Sequence, residues 1–414
     1  MERDPPLFNR VLVVGCLIIL VGFSIRASYG VFQIPIAEEF GWPRAEFSLA
    51  IAIQNLAWGF GSPFFGAIAE RIGDRKAILF GALLYSLGLA LSAGATTPIE
   101  HQFYEILVGF GIAGTGFGVI LAVVGRASSP EKRAMSLAIA TAAGSVGQIV
   151  GPPVAIALLS LMPWQSVFLV FALSMLSIIL LLPLMRAPEA AGKEELEESM
   201  GEILKLAFRD PSFSMIFVGF FSCGYQLAFI TAHFPALVTE MSSPIDTSGW
   251  CGDLGIETTA ALGGFAISVI GFANILGTLL AGWAGNRVGK KWLLSGIYAG
   301  RSIAAAWFII TPVSADSVLF FSFAMGFLWL ATVPLTSGLV AHIYGLKYMA
   351  TLYGIVFFSH QLGSFVGVWL GGLLYDLYGT YTFVWWVGIA AGIFSSIIHL
   401  PIREESRFSP QGTS

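Results

Sequence analysis

The chain has 414 residues, of which 56% are hydrophobic and only 11% charged, whereas a soluble protein of this size carries about a quarter charged residues. Its net charge of −4 speaks against a nucleic-acid partner. Cys16 and Cys223 fall in apolar runs and Cys251 stands alone in a loop, so there is no disulfide framework.

A membrane crossing takes about 20 mostly apolar residues. Twelve segments meet that length: 11–36, 46–69, 77–95, 102–125, 134–161, 164–185, 213–239, 259–285, 292–312, 317–341, 349–374 and 380–401. The first is too long for a cleavable leader and no small-residue cleavage site follows it, so it reads as a retained helix. Between the sixth and seventh spans lies a polar connection, 186–212, with the charged run Lys193–Glu198, a solvated surface feature. The loop 241–258 is acidic and has no Lys or Arg. The expected fold is an all-α membrane protein of twelve helices, divided into an N-terminal six-helix half (1–185), a linker (186–212) and a C-terminal six-helix half (213–414). Of the 21 Lys and Arg, 18 lie in the termini or the even-numbered loops. The positive-inside rule then places both termini in the cytoplasm.

An eleven-residue pattern occurs twice, at 66–76 (Gly-Ala-Ile-Ala-Glu-Arg-Ile-Gly-Asp-Arg-Lys) and 282–292 (Gly-Trp-Ala-Gly-Asn-Arg-Val-Gly-Lys-Lys-Trp). A shift of 216 residues aligns spans 2–5 with spans 8–11 and sets Gly66 on Gly282, Arg71 on Arg287, Gly147 on Gly363 and Gly151 on Gly367. A shift of 200 aligns span 1 with span 7 and sets Arg26 on Gln226 and Gln33 on His233. Two halves repeated in this way are expected to face each other across a midplane binding site.

The run Gly66, Glu70, Arg71, Gly73, Asp74, Arg75, Lys76 resembles the signature of the major facilitator superfamily between helices 2 and 3. In the second copy Asn286 replaces the acid. Gly147-x-x-x-Gly151-Pro152 is similar to part of the antiporter motif, but Ala155 and Ile156 stand where its glycine pair belongs. Within the superfamily, residues 38–48 and 359–365 resemble the bacterial monocarboxylate and oxalate/formate carriers. Those carriers bind carboxylate with an arginine of helix 8. Here span 8 has no basic residue, and Thr278 stands near that place. The resemblance implies a gating role for Gly66, Glu70, Arg71, Gly73, Arg75, Lys76, Arg126 and Arg287. Glu70 is expected to pair with basic residues at the ends of helices 4 and 11, and Arg126 fits the first of these.

Arg26 is the leading candidate for substrate contact. It lies roughly 22 Å into span 1 at about 1.5 Å per residue, where an arginine costs at least about 2.5–3.5 kcal/mol. Tyr29 and Gln33 share its side of the helix. On span 7, Gln226 and His233 form the matching stripe. His360 and Gln361 sit near the middle of span 11, and histidine there can bind an anion or titrate. Arg301 in span 9 has two readings, pairing with Asn274 or the Thr332–Ser337 run, or contact with the pathway; Thr332 is a further candidate. Glu105 is placed one turn inside span 4, and no acid is expected deeper in any span. There is no metal-ligand spacing, cofactor motif or nucleophile elbow, and an enzyme is not expected.

Together these features predict an alternating-access secondary transporter of a small organic anion, a carboxylate, with a proton as further cargo. It is expected to work as a monomer in the lipid bilayer of a bacterial inner membrane. The rival readings are an efflux carrier for amphipathic compounds and a transport-inactive membrane sensor.

Overall fold

The computed structural model describes residues 6–42, 44–187, 200–239, 249–346 and 348–405. Regular structure there is helical: α1 (Arg10–Phe40), α2 (Arg44–Arg71), α3 (Asp74–Ser92), α4 (Pro98–Thr115), α5 (Phe117–Arg126), α6 (Pro130–Leu159) and α7 (Trp164–Ser177), the last continued by a 3-10 turn, Ile178–Leu184. After the connection come α8 (Met200–Arg209), α9 (Pro211–Thr239), the short α10 (Trp250–Asp253), α11 (Thr259–Ala284), α12 (Lys290–Ile310), α13 (Ala315–Phe327), α14 (Thr332–Tyr344), α15 (Met349–Tyr378) and α16 (Thr382–His399). The charged run Lys193–Glu198 and residues 241–248 lie outside the described residues.

Eleven stretches are long and apolar enough to cross a membrane, α4 with α5 and α13 with α14 each forming one of them. The twelfth span is α2. It is the least apolar because it carries charges at both ends and buries Gln54, Asn55 and Ser62. Helix starts follow local chemistry. Thr97 accepts from the Glu100 amide while the Glu100 carboxylate accepts from the Thr97 amide, a capping box that opens α4. Ser314 and Ser317 do the same for α13.

The repeat is visible in the packing. Within the first half α6 lies on α1, and within the second α15 lies on α9. A Cβ added at Gly147 or Gly151 would come within 2.5 or 2.2 Å of the Leu20 or Ser24 carbonyl oxygen, and one at Gly363 or Gly367 within 2.0 or 2.5 Å of that of Phe221 or Tyr225. Only glycine lets these backbones meet, the small-residue packing expected of helices in lipid.

The halves touch through α2 on α15 and through α6 on α11, two equivalent pairs under the 216-residue shift. Gly66 sits on the Ala350 backbone and Gly282 on Ala138, and nearer the middle Gly59 sits on Gln361 and Gly271 on Ile149. Residue 10 and the turns near residues 72, 128, 287 and 346 lie at one face of the bundle, the terminal face. These contacts run from that face to the middle.

Candidate functional site

A row of side chains crosses the middle of the bundle from one half to the other. It starts at Arg26, whose Nη2 donates to Asn55 Oδ1 at 2.8 Å and whose guanidinium carbon lies 5.1 Å from the Trp58 ring centroid. Its buried Nε has no hydrogen-bond partner among the described residues. Trp58 packs on Phe357 across the halves, centroids 4.6 Å apart, and Phe357 stacks on His360 at 5.1 Å and 9°. His360 lies beside Cys223, and Cys223 Sγ is 3.3 Å from Thr332 Oγ1. Nδ1 of His360 is buried without a partner. Beyond Thr332 is Arg301. Next to the row, Asn274 Nδ2 donates to Ser145 Oγ at 2.7 Å, a hydrogen bond between the halves.

Arg301 is fully buried; its Nε and Nη2 are engaged, and its Nη1 has no hydrogen-bond partner among the described residues. Nε and Nη2 donate to the Leu328 carbonyl at 3.0 and 2.7 Å, and Nη2 also to the Trp329 carbonyl. These oxygens end α13, where the last carbonyls of a helix lack intrahelical partners. Asn274 Oδ1 holds the same break from the other side by accepting the Leu330 amide at 2.9 Å. Of the two sequence readings of Arg301, the geometry is that of pairing, with the carbonyls of the broken helix and, at 3.4 Å, with Thr332 Oγ1 of the expected run, rather than with Asn274. Thr332 belongs to the same break.

Gln226 and His233 do not complete a stripe facing Arg26. Gln226 Nε2 donates to the Gly388 carbonyl of α16 at 2.9 Å, and His233 Nε2 lies 3.0 Å from the Val368 carbonyl of α15, its ring packed on Phe229 and Tyr381. Both side chains are turned towards neighbours within the second half. Gln361 lies between the halves against Gly59, with its Nε2 unpartnered. The Gln33 side chain lies outside the described residues.

Tyr29 turns away from Arg26, and its hydroxyl donates to Glu105 Oε1 at 3.0 Å. Glu105 also accepts from Ser92 Oγ at 3.1 Å and, at Oε2, from Gln54 Nε2 at 2.6 Å. It is fully buried and joins α1, α2, α3 and α4. The expectation of a shallow Glu105 is corrected here. Its helix starts at Pro98, so the residue lies about 10 Å along the axis at 1.5 Å per residue. The signal was present in Thr97-Pro98-Ile99-Glu100, whose spacing is that of a capping box.

At the terminal face Glu70 reaches across the halves. Its Oε1 accepts the Thr351 amide at 2.9 Å and its Oε2 the Thr351 hydroxyl. Thr351 is the third residue of α15, where amides lack intrahelical acceptors and the helix dipole favours an anion. The expected pairing of Glu70 with Arg126 is corrected. Arg126 forms an ion pair with Asp74 inside the first half, within electrostatic range of Glu70. Gly73 has φ 117°, which suits glycine at the tight turn. Arg75 Nε donates to the Met185 carbonyl at 3.0 Å, Arg71 and Lys76 are exposed, and Arg287 lies 4.1 Å over the Trp283 ring.

The sequence matches the Major Facilitator Superfamily over residues 14–256 and 252–413, and the chain belongs to that superfamily. It is therefore a multi-pass secondary transporter rather than an enzyme. The uncharacterized MFS-type transporter YcxA of Bacillus subtilis (strain 168) is 24% identical over 413 residues, 96% of each chain. Monocarboxylate transporter 13 of Rattus norvegicus is 24% identical over 87% of this chain and 80% of that protein. Among solved structures, the proton:xylose symporter XylE superposes with a TM-score of 0.74 at 14% identity, over 96% of this chain and 97% of that one, a likeness of fold.

Proposed function

We propose that this transporter moves a small organic carboxylate across a bacterial inner membrane, with a proton, by alternating access. The carrying observation is Arg26. It is a permanent cation inside a membrane-spanning helix, held by one neutral amide and one ring, with no ion-paired acid among the described residues. A carboxylate would neutralise it through charge-assisted bonds, for which its Nε is available. Trp58 and Phe357 supply an apolar floor beside the cation, and His360 and Gln361 offer polar groups from the opposite half. The name of the Rattus relative fits this substrate class. Gln226, His233, Arg301 and Thr332 serve as supports in this reading. Gln33 remains a candidate contact one side of the helix further out.

With the positive-inside assignment, both termini are cytoplasmic. The six-helix halves, 1–185 and 213–414, would then rock about the midplane row, with the Glu70 contact closing the cytoplasmic side. Glu105 and His360 are the buried groups through which a proton could be coupled.

The test is a thermal-shift screen of lactate, oxalate and related acids against purified wild type and Arg26→Gln, followed by uptake into liposomes. One acid should stabilise the wild type, and its affinity should fall about 10- to 100-fold in the variant, the loss of a hydrogen bond to a charged group. Transport of amphipathic dyes with no response to any acid would reject the assignment in favour of an efflux carrier.

A further inference from the structure

We propose that the terminal face carries a binding site for the phosphate headgroup of an anionic phospholipid. The site is a cavity of about 760 Å3 whose lining includes Arg10, Arg126, Ser129, Leu184 and Arg186. Three of these side chains are guanidinium groups, and no acid lines the cavity among the described residues. It lies where the start of α1, the turn between α5 and α6, and the end of the 3-10 turn after α7 come together, at the level where those spans leave the membrane. Asn9 fastens two of these walls, since its Nδ2 donates to the Ala127 carbonyl at 3.0 Å.

Several features favour a phosphate on a lipid. Arg10 and Arg186 are exposed, so neither guanidinium is committed to the protein core. Among the described residues, Arg186 Nε makes a 3.3 Å contact with the Pro183 carbonyl. Planar guanidinium groups match phosphate oxygens in pairs. Ser129 Oγ is buried with no partner. Val11, Pro183 and Leu184 add an apolar wall to the same cavity, suited to the glycerol and the upper acyl chain. A free phosphate would leave that wall unused. Basic pockets between spans at the inner leaflet are the general chemistry of acidic lipid headgroups. Arg126 also pairs with Asp74 in the signature turn, so an occupied site would adjoin the Glu70 contact. The proposal does not depend on which solute is carried.

The test is native mass spectrometry of the delipidated full-length protein with dioleoylphosphatidylglycerol or dioleoylphosphatidylcholine. Arg10→Gln, Arg186→Gln and the double variant are compared with wild type. Wild type should retain one phosphatidylglycerol in preference to phosphatidylcholine. Each single variant should bind it roughly 5-fold more weakly and the double variant about 30-fold. The Arg10→Lys, Arg186→Lys pair should restore part of the loss, which a folding defect in the glutamine variants would not explain. Equal retention by wild type and double variant, or equal retention of both lipids, would overturn the proposal. So would displacement of the lipid by inorganic phosphate together with protection by phosphate alone, because the site would then belong to a soluble anion.

Discussion

Arg26 of α1 and Arg301 of α12 each lie within a membrane-spanning helix, one in each half. Arg301 faces the break between α13 and α14, where carbonyls at the end of a helix have no partner of their own. The negative end of that helix adds to the attraction. Arg26 faces the side of α2, a helix that runs through Pro63 without a break. It meets two side chains there, Asn55 through a hydrogen bond and Trp58 through its ring. Arg301 thus ends on the carbonyls of a helix break and Arg26 on two side chains, and the proposed substrate contact rests on that contrast. Replacing both breaks the comparison most sharply. Arg301→Leu should lower stability by about 3 kcal/mol, because it leaves two buried carbonyls, of Leu328 and Trp329, without their donor. The measurement is thermal unfolding in detergent, with loss of a monodisperse species as a second sign. Arg26→Gln keeps a donor for Asn55 and should unfold close to wild type. An Arg301→Leu protein as stable as Arg26→Gln would refute the cap.

The reach of the sequence follows the same physics. The spans and the repeat were legible because long apolar runs and a duplicated turn survive without knowledge of neighbours. Glycines at 147, 151, 363 and 367 could be paired by register alone, and both pairs sit on the backbone of the adjacent helix. The direction of a polar side chain was not legible in the same way. Register placed Gln226 opposite Arg26, but α16 offers the Gly388 carbonyl and takes its amide. Thr332 read both as a partner of Arg301 and as a pathway hydroxyl, and its Oγ1 lies 3.4 Å from Arg301 Nη2 beside the break. Asn55 and Trp58 went unselected, although an amide near the middle of a span is a readable signal. The Glu105 cluster depended on where α4 begins, which hydropathy leaves uncertain by several residues.

The two signature turns extend the contrast between the halves to the terminal face. Glu70 accepts from the amide and the hydroxyl of Thr351, near the start of α15. Its counterpart Asn286 donates a single bond of 3.0 Å to the Glu131 carbonyl, at the start of α6. The acid therefore grips the positive end of a helix, while the amide reaches one neutral oxygen at an exposed position. Hydrogen bonds to a charged group contribute about 1.5–3 kcal/mol, against about 0.5–1.5 kcal/mol for neutral ones. Glu70→Ala should weaken closure enough to lower transport about 10-fold or more. Substrate affinity should hold within about 3-fold, because the residue is remote from Arg26. Equal loss of transport and binding would contradict a gating role.

Asn286→Ala is the smaller and more discriminating change. It removes one neutral bond and leaves the glycine contact at Gly282 in place, with Ala138 still packed beneath it. The ratio of closed to open terminal face should shift by about 2- to 10-fold, read as reactivity of a cysteine introduced near residue 286. Transport should change less than in Glu70→Ala. If the two variants open this face equally, the closure is shared evenly between the turns, and the charge at Glu70 adds nothing that an amide does not supply.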